Sequence, residues 1–123
     1  MLTRRQQSGR RAEEVAADFL HAAGYEILER NYCRRVGELD IVARRAGVLV
    51  VAEVRTRASD VYGGAAASVT PVKRRRIVRA AAALLQRRAE LARLPVRFDV
   101  LVVTAPHGPA PSVEWIQHAF EAS

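Results

Sequence analysis

Apolar residues recur along this chain first at helical spacing, then in alternation, then in an unbroken run. Ala12, Val15, Ala16, Phe19, Leu20 and Ala23 fall three or four positions apart, which lines one face of a helix. Ser8 is placed to cap that helix, which the pattern predicts over residues 9–23, and Gly24 to end it. Residues 25–32 read as extended, with Ile27 and Leu28 buried. Residues 37–43 read as a strand, Arg45-Ala46-Gly47 as a turn, and residues 48–56 as the next strand. The unbroken apolar run from Val48 to Ala52 suits a strand covered on both faces. Residues 58–69 read as a loop around Gly63-Gly64. Thr70 as a cap with Pro71 behind it predicts a second helix, running to about Leu91 and closed by Leu94-Pro95. Residues 97–104 read as a strand, 106–109 as a loop, and 113–116 as a short edge strand. This order predicts an α/β fold with a mixed sheet and a helix on each side. No repeat or linker divides the 123 residues, so one domain over 1–123 is expected, with 1–7 as a frayed basic tail.

The two central strands carry the chemistry. With Ala46-Gly47 as a two-residue turn, Arg45 faces Val48, Asp40 faces Glu53, and Glu38 faces Arg55. Carboxylates directly opposite on one face have Cβ atoms about 4.5–5.5 Å apart and repel each other. Such a pair calls for a cation, and Mg²⁺ (or Mn²⁺) accepts one or two carboxylates and fills its shell with water and phosphate oxygens. A three-residue turn would instead place Asp40 opposite Ala52 and turn Glu53 to the other face. The same residues also admit a plain reading, with Glu38–Arg55 as a cross-strand ion pair and Asp40 as a turn-side or capping group.

Charge adds a partner. There are 20 Lys and Arg against 13 Asp and Glu, for a net charge of +7. That excess is the footprint of a polyanion binder. Lys73, Arg74, Arg76 and Arg79 gather at the start of the second helix, and Arg57 closes the second central strand. These five are the candidate nucleic-acid contacts; Arg4, Arg5, Arg10 and Arg11 could add nonspecific backbone contacts. Aromatics number three Tyr, three Phe and one Trp, too few for a base-stacking strand. Duplex or branched DNA therefore suits better than single strands, with Tyr62 as the one loop candidate for stacking. Cys33 is alone, which excludes internal disulfides and cysteine-based zinc sites and makes it a small packing residue. No membrane span or secretory leader stands out, so a cytoplasmic protein with no membrane association is expected. Trp115 reads as packing, Asp99 as paired with an arginine, and the three histidines as incidental.

Residues 37–43 (Gly-Glu-Leu-Asp-Ile-Val-Ala) followed by 51–57 (Val-Ala-Glu-Val-Arg-Thr-Arg) resemble the bipartite signature of the YraN family of bacterial proteins. More distantly they are similar to the PD-(D/E)XK nucleases and archaeal Holliday-junction resolvases. Gly9, Glu13, Ala16 and Gly24-Tyr25 resemble the family's first helix. Residues 29–32, Lys73 with Ala80, 97–100 and 118–120 continue the likeness along nearly the whole chain. The resemblance implies a restriction-endonuclease-like three-layer α/β/α fold and a Mg²⁺-dependent DNA endonuclease. Asp40 and Glu53 would hold the metal, Glu13 would approach it from the first helix, and Arg55 would hold the scissile phosphate. A homodimer follows by analogy with the two-fold symmetry of a DNA junction. Arg55 departs from the pattern, which has lysine there; arginine keeps the charge and does not give up a proton. That leaves a DNA-binding module on a nuclease fold, weak or inactive in catalysis, as the alternative, and a structural protein with merely compositional charge as a third.

Overall fold

The computed structural model describes residues 3–57 and 69–122. Its elements are α1 (Arg4–Ala22), β1 (Glu26–Arg34), β2 (Gly37–Arg45), β3 (Val48–Arg57), α2 (Pro71–Arg87), a 3₁₀ turn (Ala89–Leu91), β4 (Val96–Thr104) and β5 (Ser112–Phe120). One five-stranded sheet has the order β1-β2-β3-β4-β5. β3 and β4 run parallel with α2 crossing between them, and the other neighbours are antiparallel. The sheet is therefore mixed, as the element order predicts.

Alternation along β3 separates two layers of core. Leu49 and Val51 pack with Ile77, Ala80, Ala81 and Leu84 of α2. Val50 and Ala52, pointing the other way, pack with Ala12, Ala16 and Leu20 of α1. The helices thus cover opposite faces, which is why the Leu49–Ala52 stretch is buried throughout.

Three boundaries differ from the sequence reading by more than two residues. α1 starts at Arg4, not Gly9: Thr3 accepts the Gln6 N–H, and the Gln6 side chain accepts the Thr3 N–H. This capping box displaces Ser8 from the cap and draws residues 4–7 into the helix instead of a frayed tail. α2 ends at Arg87, and the 3₁₀ turn carries the chain on to Leu91. β5 reaches Phe120, because a bulge lets it pass a register shift between Phe98 and Val100. Buried Asp99 holds that bulge, accepting from Arg97 Nε (2.9 Å), Trp115 Nε1 (2.8 Å) and the His118 backbone N–H (3.0 Å). Trp115 also packs edge-on against Phe19 and Tyr25. Cys33, expected to pack, is exposed. Tyr62 and Gly63-Gly64 lie outside the described residues, as do the side chains of Arg4 and Arg5. Among the described residues no helix is long and apolar enough to cross a membrane.

Candidate active site

The β2–β3 hairpin turns through two residues, Ala46 (φ 51°) and Gly47 (φ 77°). Both are left-handed, the conformation a tight hairpin needs. The register is the one that faces Asp40 to Glu53: Arg45 pairs with Val48, and the rungs continue to Ile41 with Ala52. There the paired rungs stop. β2 continues from Leu39 back to Gly37 paired with β1. The Asp40 carboxylate takes up the Val54 N–H at 2.9 Å in place of a ladder bond. The expected Glu38–Arg55 rung accordingly lies beyond the paired stretch.

Asp40 and Glu53 meet at this fork. Glu53 is only 4 % exposed, so its charge needs partners. Lys73 Nζ supplies one at 2.7 Å from Oε1; Arg55 Nε stands at 3.9 Å from the same oxygen. Asp40 is pushed up to about 8 from an ordinary 3.8, first by burial and then by the Glu53 charge, with the Val54 N–H opposing. Glu13 is half-buried and also raised, first by burial, while Asn31 and Arg30 oppose; its charge reaches Asp40 as well. It borders a neighbouring hollow with Arg10, Glu14, Arg30 and Asn31. Among the described residues no three acidic, histidine or cysteine side chains close into a metal cage. Glu13 acts on Asp40 through its charge from that neighbouring hollow.

The pair opens into a cleft of about 530 Å³ between the β1–β2 turn and the first turns of α2. Cys33, Arg34, Glu38, Thr70, Lys73 and Arg76 line it. Gly37 sets its width: a Cβ there would stand 2.6 Å from the Arg76 carbonyl oxygen. The basic cluster of α2 divides by helical phase. Lys73 and Arg76 face the cleft. Arg74 donates to the Val69 carbonyl (2.9 Å) and lies over the Phe120 ring. Arg79 is exposed one turn further on. Arg57 pairs with Glu114 of β5 at 3.0 Å, away from the cleft lining. Sequence reasoning passed over Arg34, whose guanidinium is held over the Tyr32 ring and by the Tyr32 hydroxyl (3.0 Å). Its signal was its place at a strand end facing the signature.

Two hard carboxylates suit Mg²⁺ or Mn²⁺, which need only one or two protein oxygens. The donor set therefore fits such an ion, with the rest of the shell left to water and phosphate.

A family model described as "Uncharacterised protein family UPF0102" matches residues 12–103, from within α1 into β4 and including the whole fork. A UPF0102 protein of Stutzerimonas stutzeri is 43% identical over 117 residues, covering 95% of this chain and 97% of its own. One from Cupriavidus taiwanensis is 46% identical over 120 residues, covering 96% and 86%. One from Geobacter sulfurreducens is 44% identical over 113 residues, covering 92% and 88%. On this likeness, which runs nearly end to end, the chain belongs to the UPF0102 family, the YraN family of the sequence reading.

Proposed function

We propose that this protein is a divalent-metal-dependent phosphodiesterase acting on duplex or branched DNA. One observation carries the reading: Asp40 and Glu53 converge in a cleft rimmed by Arg34, Lys73 and Arg76. The two-helix, five-strand arrangement also supports the restriction-endonuclease-like fold that the resemblance implies.

An ion held by Asp40 and Glu53 would polarise a phosphodiester and activate a water. The chain's own residues do the rest. Asp40 would hold such an ion as a carboxylate, its proton passing to water. Arg34 and Arg76 hold phosphate oxygens by charge and hydrogen bonds. Arg55, behind Glu53, adds fixed positive charge where negative charge develops. Glu13 biases the pair electrostatically from α1. Two copies would match the symmetry of a four-way junction.

A specific observation favours a second reading. Glu53 already has Lys73 at 2.7 Å, and arginine stands where the pattern has lysine, so the protein could bind DNA without turnover. Cleavage of labelled linear, single-stranded and four-way-junction DNA with Mg²⁺ or Mn²⁺ separates the two. Cutting by wild type that Asp40→Ala abolishes supports the enzyme. Cutting gained only in Arg55→Lys places the defect at that residue. Salt-sensitive binding with no cutting by any variant replaces the enzyme with the binding module.

A further inference from the structure

We propose that Lys73 is the working cation of the acidic pair, the role that the signature assigns to position 55. The proposal rests on the metal-dependent reading above and deepens it.

Distance distinguishes the two candidates. Lys73 Nζ lies 2.7 Å from Glu53 Oε1, a charge-assisted hydrogen bond. Arg55 Nε lies 3.9 Å from the same oxygen, beyond hydrogen-bonding range. The Glu53 side chain is 4 % exposed and that of Lys73 44 %. One end of the pair is therefore buried, while the ammonium reaches the open cleft.

Three local features deliver Lys73 to that place. Its own N–H is fixed by the Thr70 hydroxyl at 3.1 Å. Pro71 starts the helix in the right conformation. Gly37 admits the α2 backbone at Arg76 close against β2. A cation in a helix's first turn opposes the helix dipole. Here Glu53 compensates it, so the position is explained without a ligand. An ammonium has three donors. One goes to Glu53, and among the described residues the others have no partner, which leaves them for a phosphate alongside Arg34 and Arg76 on the cleft wall.

Lys73 and a divalent ion then compete for the same carboxylate oxygen. Removing the ammonium tightens metal binding, because a like charge leaves, and weakens turnover, because a phosphate donor leaves. Loss of a strap that only seats α2 would lower the unfolding midpoint and leave turnover by the folded variant unchanged, while the titration decides which cation, Lys73 or Arg55, the pair feels.

The deciding experiment is calorimetric titration with Mn²⁺ alone on wild type, Lys73→Met, Lys73→Arg and Arg55→Met, with unfolding midpoints measured in parallel. Lys73→Met is expected to bind Mn²⁺ about tenfold tighter, and more tightly than Arg55→Met. Lys73→Arg, which keeps the charge, stays near wild type. Mn²⁺ bound by Lys73→Met and not by wild type also supports the assignment. Equal or weaker binding by a folded Lys73→Met overturns it, as does a larger gain in Arg55→Met or binding by no variant. Wherever wild type cuts DNA, Lys73→Met is expected to lose about 10²-fold in rate, with partial recovery in Lys73→Arg. Absence of cutting by wild type removes the activity proposed above; the Lys73 assignment is decided separately, by the titration.

Discussion

At Asp40, burial and the facing Glu53 carboxylate raise the acid from 3.8 to about 8. The sign of the linkage follows. Between roughly pH 4 and pH 8 the folded protein keeps a proton that the unfolded chain releases, so stability falls as pH rises. The slope is at most about 1.4 kcal/mol per pH unit, and it vanishes above pH 8 or so. Urea unfolding across that window should show the decline in wild type and a flatter profile in Asp40→Asn; identical slopes would remove Asp40 as its source. The metal binding proposed above should have the opposite dependence, since an ion would need the carboxylate. Mn²⁺ affinity should rise by up to about tenfold per pH unit up to the same point. The nearness of Asp40 and Glu53 was legible because a two-residue turn fixes the hairpin register and side chains alternate with period two. The 2.7 Å approach of Lys73 to Glu53 was not, because it depends on where α2 sits on the sheet. The uses of Arg57 and Arg74 were hidden for the same reason: Glu114 and Phe120, on β5, are distant in sequence.

The elements that frame the cleft hang on small details of chain. Gly37 is one, with the Arg76 carbonyl where a Cβ would go. Backbone cannot yield as a side chain can, so Gly37→Ala should cost about 1–3 kcal/mol and shift α2. Its midpoint should fall and the Mn²⁺ affinity should change with it; an unperturbed midpoint would mean that α2 does not depend on this approach. Thr70→Ala removes the cap whose hydroxyl accepts the Lys73 N–H, and should cost about 1 kcal/mol. Proline after threonine made the start of α2 readable in the sequence. The start of α1 was readable too, since Thr3 and Gln6 have capping-box spacing, but Ser8 before the apolar pattern was the nearer signal. β5 was foreshortened because its bulge at His118 (φ 53°) breaks the alternation that marks a strand. Nothing local announces that bulge; Asp99 imposes it from β4.

Across the whole molecule, the net charge of +7 says that polyanions will be attracted but not where they will lie. The fold sorts the charges. Arg34 and Arg76 line the acidic cleft, Arg11 pairs with Glu14, Arg44 with Glu26, Arg57 with Glu114, and Arg97 is consumed by Asp99. A wholly compositional charge excess would make these arginines interchangeable in binding. A cleft that holds a duplex backbone makes them unequal. Deleting one phosphate-binding side chain lowers the slope of log affinity against log salt by about one, whatever the DNA sequence. Arg34→Ala and Arg76→Ala should therefore each reduce the slope by about one. Arg74→Ala should leave it unchanged and lower the unfolding midpoint instead, because that side chain holds Val69 and covers Phe120. Binding measured between about 50 and 200 mM salt on one duplex decides it. Equal slopes for all three variants would detach the cleft from DNA and leave its acidic pair in need of another anionic substrate.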